Sequence, residues 1–388
     1  MENILVVGAS TRPVAAALNS AGFNVYSADY FGCEDLLPIV KEYRSILKYE
    51  SHESTGFFSE KFTHNSLNKV AAEFVDDVDH IVCCSGADPS QFPKNKILGN
   101  QEINDVENKY KLYKTLKKRF EGLINIPSTF FVDKLEDANC IVQDNPEKKF
   151  LIKPLEGSGG VGITKFTPPL ETIDNNGAIL QEIVDGQNIS TSVISSVDEA
   201  RTILVNQQLI GNMGLGQLEK YGYCGNITPF TGLDQESIHN LKEISEEIIL
   251  DLGLIGSNGL DMVLKDDGTP YIIEVNPRLQ GSFEVAELSL GINMAQTHIN
   301  ACDGSLIENV KPRCFAIKQI VFAKERSLVG NMNHEGISDL PAKNVIIEKG
   351  EPVVTVVNSG MILENTMKTS HELVASVYQN LQPAPEKR

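Results

Sequence analysis

The 388-residue chain lacks several features that would narrow its class at once. Its seven cysteines are odd in number and scattered, with none spaced as CxxC, so neither a zinc knuckle nor a disulfide framework is readable. Such cysteines suit reduced, buried positions in a cytoplasmic protein, the localisation expected here. No apolar run approaches the ~18 residues of a spanning helix, and Met1 leads into Ile4-Leu5-Val6-Val7 without a basic segment. Neither a membrane span nor a signal peptide is therefore expected. Basic residues are outnumbered, 34 against 52 acidic, which leaves a net charge of −18. A polyanion is repelled by nucleic acid and by anionic membranes, so neither is expected as a main partner. Internal repeats and low-complexity linkers are missing too.

What is present is ordinary globular composition over a length that suits two or three packed domains. The first hundred residues alternate short apolar runs with helical stretches, the pattern of a parallel α/β sheet. Asn3–Val7 reads as a buried strand, Pro13 opens a helix running to about Ala21, and Phe23–Ala28 is a strand ending at Asp29. Asp79–Cys84 is another strand, closing in the loop Ser85–Asp88, a candidate ligand loop by general sheet geometry. Gly8 and Asp29 invite a dinucleotide, but Ser10 and Pro13 stand where GxGxxG needs glycine. A Rossmann-like sheet without a dinucleotide is the expectation. Asn104–Arg119 reads as one charged amphipathic helix leading to a domain crossing at Ile126–Thr129. Past Lys311, Phe315–Ala323, Val345–Ile347 and Val353–Val357 are strand-like. Ser370 is expected to cap a terminal helix reaching Leu381, with Gln382–Arg388 as a frayed tail.

Two segments carry chemistry. In the first, the apolar run Phe150-Leu151-Ile152 delivers Lys153, and Glu156-Gly157-Ser158-Gly159-Gly160-Val161-Gly162 follows. Glycines let backbone amides approach phosphate oxygens, and the lysine adds a point charge. The lysine precedes the glycines, so this is not a P-loop; a flexible hairpin turn is the competing interpretation. In the second, Gly259–Leu264 and Tyr271–Arg278 flank Lys265-Asp266-Asp267-Gly268, a hairpin with an Asp-Gly turn. Asp261 can lie beside Glu274, while Asn276 and Arg278 follow on the same face as Glu274. Two carboxylates and an amide oxygen are poor core material but suit Mg²⁺ bridging substrate phosphates. Arg278 could hold an anionic oxygen. Ile272, Ile273 and Val275 around Glu274 disfavour an exposed hairpin with ordinary surface charges.

The lysine with its glycine loop, followed about 110 residues on by Asp261…Glu274-Val275-Asn276-Pro277-Arg278, resembles the ATP-grasp superfamily of ligases. Val6–Pro13 and Tyr223–Pro229 are similar to an archaeal group of ATP-dependent carboligases related to biotin carboxylase. The resemblance implies an α/β ATP-grasp fold: a Rossmann-like domain over 1–103, the grasp domain over 104–310 with its first lobe about 104–178, and a small β-rich domain over 311–388. It implies ATP with Mg²⁺, or Mn²⁺ as the alternative ion, held by Asp261, Glu274 and Asn276. Lys153 matches the second phosphate lysine. Lys109 is the best match to the first, with Lys111 and Lys114 close enough to compete. Glu156, Gly157, Ser158, Gly159 and Gly160 form the implied phosphate lid, and Glu182, Ile183 and Val184 the hinge that reads adenine. Asn188 stands where the family commonly has a ribose-binding glutamate.

The implied reaction is carboxylate phosphorylation followed by amine attack on the acyl phosphate, with Arg278 and Lys153 neutralising charge. The partners are then a small-molecule carboxylate and an amine, and a homodimer is the assembly the resemblance allows. A bicarbonate-activating carboligase and a non-catalytic nucleotide-binding protein are the alternatives. Lys349–Val356 resembles the small domain after the grasp in biotin carboxylase, yet no Met-Lys-Met biotinylation motif occurs. Tyr221, Tyr223 and Asn226, in a glycine-rich stretch, are candidate acceptor contacts, while His298, His334 and His371 read as structural or exposed.

Overall fold

Ile4, Leu5, Val6 and Val7 are all fully buried, as a strand covered on both faces of a parallel sheet requires. The computed structural model, which describes residues 2–157, 159–167, 177–308 and 310–385, places them in β1 (Asn3–Gly8). β1 pairs in parallel with β2 (Asn24–Asp29) and β4 (His80–Cys83), and β3 (Glu42–Ser45) completes the order β3-β2-β1-β4. The helix Arg12–Ser20 carries Pro13 in its first turn, where a missing N–H costs nothing. It lays Val14, Ala17 and Leu18 into a core shared with Ile194, Leu204, Leu290 and Met294. That sharing locks the first sheet onto the rest of the chain.

Asp29 ends β2 facing inward. Its carboxylate accepts from the Gly32 amide at 2.9 Å and from the Thr11 hydroxyl at 3.2 Å, and it is 1% exposed. It is an internal turn clamp and does not point at a ligand. Burial lifts its pKa from 3.8 to about 7 despite those hydrogen bonds. The folded chain thus retains a proton that the unfolded chain sheds above about pH 4. The stability contributed by the protonated carboxyl is complete below that pH and is lost as pH rises through 7. Asp29→Asn is expected to lose less stability than the parent between pH 5 and pH 8, measured as urea midpoints. Equal losses would mean that Asp29 is ionised in the fold.

A second antiparallel sheet, ordered β5-β8-β6-β7, comprises β5 (Thr129–Val132), β6 (Phe150–Pro154), β7 (Thr164–Lys165) and β8 (Ala178–Glu182). The large central sheet begins with β9 (Gln187–Ser195), β10 (Ala200–Ile210), β11 (Tyr223–Thr228), β12 (Gly256–Leu264), β13 (Pro270–Asn276) and β14 (Phe315–Phe322). After β15 (Ser327–Val329) come β16 (Ile337–Ser338), β17 (Ile346–Ile347) and β18 (Pro352–Gly360). The central order is β13-β12-β9-β10-β11-β14-β18-β16. Strands from beyond residue 311 therefore continue this sheet by direct pairing of β14 with β11. The helix Gln235–Asp251 covers one face, burying Leu241, Ile248 and Ile249 in a core with Leu260, Met262 and Val275.

Three local expectations are corrected. Asn104–Arg119 is not one helix but two, Asn104–Glu107 and Lys109–Arg119. Asn108 turns out at ψ 106°, and its side chain accepts from the Lys111 amide at 3.1 Å, so a capping asparagine restarts the helix. Ser370 does not cap the last helix, which runs Leu363–Gln379. It is buried mid-helix, its hydroxyl donating to Asn358 Oδ1 at 2.6 Å, a use of serine that the cap preference does not foresee. The tail is not frayed from Gln382: β19 (Leu381–Pro383) pairs with β15, while residues 386–388 lie outside the described ones.

Candidate active site

The β12–β13 hairpin forms around Lys265-Asp266-Asp267-Gly268, with the Gly268 amide closing on the Lys265 carbonyl at 2.9 Å. Its register places Asp261 directly opposite Glu274. Glu274 and Asn276, two apart on one strand, face the same cavity of about 440 Å³, as do Asp261, Arg278 and Lys153. Desolvation and the charge of Glu274 push Asp261 up to about 7, against the bonds it accepts from Asn276 and from Gln208 Nε2 (2.9 Å). Two carboxylates crowded with an amide oxygen are a repulsive set that a hard divalent cation relieves. Donor chemistry and spacing therefore suit Mg²⁺.

Lys153 sits on β6 at the cavity wall, 6% exposed, its ammonium donating to Gln181 Oε1 at 2.6 Å. Burial lowers its pKa to about 8, with Glu274 and Asp261 opposing and Lys109 adding to the shift. Lys109, first residue of the restarted helix, is buried at the glycine loop. Its ammonium donates to the Gly157 carbonyl at 3.0 Å and its amide to the Leu155 carbonyl at 2.9 Å. Lys111 instead pairs with Asp105 at 2.8 Å, and Lys114 lies over the Tyr110 ring. Geometry thus selects Lys109 among the three lysines as the one at the loop.

The loop is folded across the cleft. Gly159 accepts from the Tyr223 amide at 3.0 Å, and Gly160 has φ +82° with an added Cβ falling 1.9 Å from the Tyr221 carbonyl oxygen. Only glycine permits that approach. Gly159 and Gly160 line the cavity; Glu156 is exposed and is not part of its lining, and Ser158 lies outside the described residues. At the other end Glu182, Ile183, Val184 and Asn188 line the wall. The hinge is anchored by the Glu182 amide on Ser128 O (2.9 Å) and the Ile183 amide on Lys149 O (2.7 Å). Lys148 reaches the Glu182 carboxylate at 3.1 Å.

Tyr221, Tyr223, Asn226 and Ser85 also line the cavity, whereas Asp88 caps the turn at Pro89–Gln91. The Tyr223 hydroxyl donates to Asn226 Oδ1. His298 is structural: Nδ1 accepts from the Ser257 amide at 2.8 Å, and burial holds its pKa near 4. Three functional candidates escape sequence reasoning. Glu107 braces Arg278 at 3.1 Å, Gln208 braces Asp261, and Lys318 enters the cavity from β14. Each acts across 34 or more residues, except that Glu107 stands two before Lys109, the one local hint.

Across residues 106–282 the chain matches the family model described as an ATP-grasp domain. An uncharacterized protein of Methanocaldococcus jannaschii is 33% identical over 363 residues, covering 91% of this chain and 87% of that protein. The chain belongs to the ATP-grasp family. The tyramine–L-glutamate ligase of the same organism is 28% identical over 186 residues, 48% of this chain and about half (47%) of that protein. Among solved structures, the biotin carboxylase domain of Hydrogenobacter thermophilus 2-oxoglutarate carboxylase, bound to Mg-ADP, ADP and bicarbonate, shares the fold. Its TM-score is 0.71 at 13% identity, over 99% of this chain and 90% of that one. This ATP-grasp protein is an ATP-dependent enzyme. No helix among its described residues is long and apolar enough to cross a membrane.

Proposed function

We propose that this ATP-grasp enzyme joins a small carboxylate to an amine through an acyl phosphate, with an amino acid or coenzyme precursor as the acid. One observation carries the proposal: a single cavity runs from the hinge, past Lys153 and the paired carboxylates, to Arg278 and open space beyond. In it, Ile183 and Val184 would take the adenine and Asn188 the ribose. Lys153 faces the phosphates, and Lys109 holds the loop that covers them. Asp261, Glu274 and Asn276 would hold Mg²⁺, which supplies charge neutralisation to the phosphates when bound.

A substrate carboxylate oxygen attacks the γ-phosphorus and ADP leaves; the amine nitrogen then attacks the acyl carbon, phosphate leaves with the bonding pair, and the amine sheds a proton. Arg278, braced by Glu107, is placed to neutralise the acyl phosphate and the tetrahedral oxyanion, a contribution of about 3–4 kcal/mol for one preorganised donor. The folded-down glycine loop keeps water from the intermediate. The M. jannaschii tyramine–glutamate ligase supports amide formation; the biotin carboxylase-like fold favours bicarbonate as a second reading.

ADP and phosphate release with Mg-ATP across amino acids, bicarbonate and amines separates the two. Release that requires both an acid and an amine, with a product mass equal to their condensation, is expected. Release driven by bicarbonate without an amine would sink the proposal.

A further inference from the structure

The cavity has a charge pattern that the ligase reaction as such does not need. Six charged side chains line it among the described residues: Lys153, Glu182, Asp261, Glu274, Arg278 and Lys318. Four are accounted for by the hinge, the phosphates and the cation site, and Arg278 by the acyl phosphate. Lys318 is left over.

Its position follows from sheet register. Asn188 on β9 stands one residue before Ile189, the partner of Gln207 on β10; the next residue, Gln208, pairs with Asn226 on β11, which pairs with Lys318 on β14. All four line the cavity, so the row forms a polar floor crossing the strands. At about 4.8 Å per strand, the Lys318 backbone lies about 10 Å beyond that of Gln208, the residue bonded to Asp261. Lys318 therefore marks the floor past the phosphoryl-transfer point, beside Tyr223, Asn226 and Ser282.

The ammonium is built into place. Glu284 accepts one of its three donors at 3.0 Å, and both side chains are about nine-tenths buried. Glu284 is shared with Arg12, whose guanidinium also pairs with Asp339 at 2.7 Å and Asp35 at 3.5 Å. Burial pushes the Glu284 pKa up, but Lys318 and Arg12 outweigh it and keep the carboxylate charged. Neither Glu284 nor Glu107 lines the cavity; each reaches its cation from behind the wall. Past the cation site, the wall thus presents two cations and no carboxylate among the described residues. A purely structural Lys–Glu pair has no need to open its cation onto a cavity.

We propose that Lys318 recognises a second anionic group on the acid substrate, so that the acid activated here carries a further carboxylate or a phosphate besides the carboxylate that is phosphorylated. This rests on the ligase reading above. The activated carboxylate meets the γ-phosphate beside Arg278 while the second anion lies on the floor against Lys318, which sets which acid is accepted.

The test uses the full chain with Mg-ATP and hydroxylamine as the trapping amine, following hydroxamate and ADP. The acids are butyrate, L-glutamine, glutarate, L-glutamate and O-phospho-L-serine. The wild type is expected to prefer at least one doubly anionic acid over butyrate and glutamine by about 10–100-fold in kcat/KM, the span of a charge-assisted hydrogen bond. The better of the carboxylate and phosphate arms identifies the second anion. Lys318→Met should erase most of that preference through KM, and Lys318→Arg should retain it. Because Lys318→Met leaves buried Glu284 with Arg12 alone, Lys318→Met/Glu284→Gln is assayed alongside, with thermal melting to verify the fold. Equal turnover of singly and doubly anionic acids, or an unchanged preference in the Lys318→Met variants, overturns this inference while the ligase reading stands. No hydroxamate from any acid overturns the ligase reading and the inference with it.

Discussion

Glu274→Gln is expected to lower ATP-dependent turnover about a thousandfold while the protein stays folded. Glutamine preserves the shape of the side chain but removes the charge that faces Asp261 across the hairpin. A catalytic cation contributes several kcal/mol of transition-state neutralisation, and each 1.36 kcal/mol is a factor of ten. That charge cuts both ways in the fold, supporting the buried Lys153 ammonium and repelling Asp261. Glu274 adds to the repulsion that, after desolvation, holds Asp261 near 7, so its loss relieves strain in the metal-free protein. The thermal midpoint without ATP should be equal or higher, and ADP release should fall. Full activity in a folded variant would remove Glu274 from the cation site.

Gly160→Ala is expected to cut kcat/KM for ATP by about a hundredfold, whereas Gly159→Ala should cost about tenfold or less. Both glycines have positive φ, +82° and +68°, so each alanine meets the ~1–2 kcal/mol penalty of left-handed backbone. Only at Gly160 does the added methyl collide with backbone, 1.9 Å from the Tyr221 oxygen; at Gly159 nothing lies within 4 Å. The alanine at 160 must lift the loop from the Tyr221–Tyr223 segment and break the bond from the Tyr223 amide to Gly159. Steady-state kinetics at varied ATP, with ADP release uncoupled from product as a second readout of water entry, checks this. Equal effects at the two positions would show that strain, not docking of the loop, governs the site.

The parts of the site legible in the sequence are those whose information is local. An Asp-Gly turn between apolar strands fixes a register over a dozen residues, so Asp261, Glu274 and Asn276 can be brought together without tertiary knowledge. Lys153 and its glycines are legible for the same reason. Glu107 is not, because its partner Arg278 is 171 positions away and the turn at Asn108 that aims it interrupts a helical pattern with no proline or glycine to mark it. Lys318 reads as one charge in an apolar strand; only the pairing β11–β14 shows that it shares a row with Asn226. Ser370 shows the limit of residue preference: a good capping residue was needed in the helix interior to bond Asn358.

The continuation of the central sheet past residue 311 bears on how such a protein can diversify. The end of the cavity proposed for the nucleotide is encoded between Lys109 and Asn276, whereas the far end draws on Ser10, Ser85 and Lys318, from the first and last stretches of the chain. Sheet pairing joins the last stretch to the centre through backbone hydrogen bonds, which tolerate exchange of side chains, while the first is held by the apolar core that Val14, Ala17 and Leu18 share with Ile194 and Leu204. Under the ligase reading proposed above, mutation in the outer stretches redirects which molecules are joined while the energy-coupling half stays unchanged. Descendants of one ancestor could part company in diet and keep the same engine.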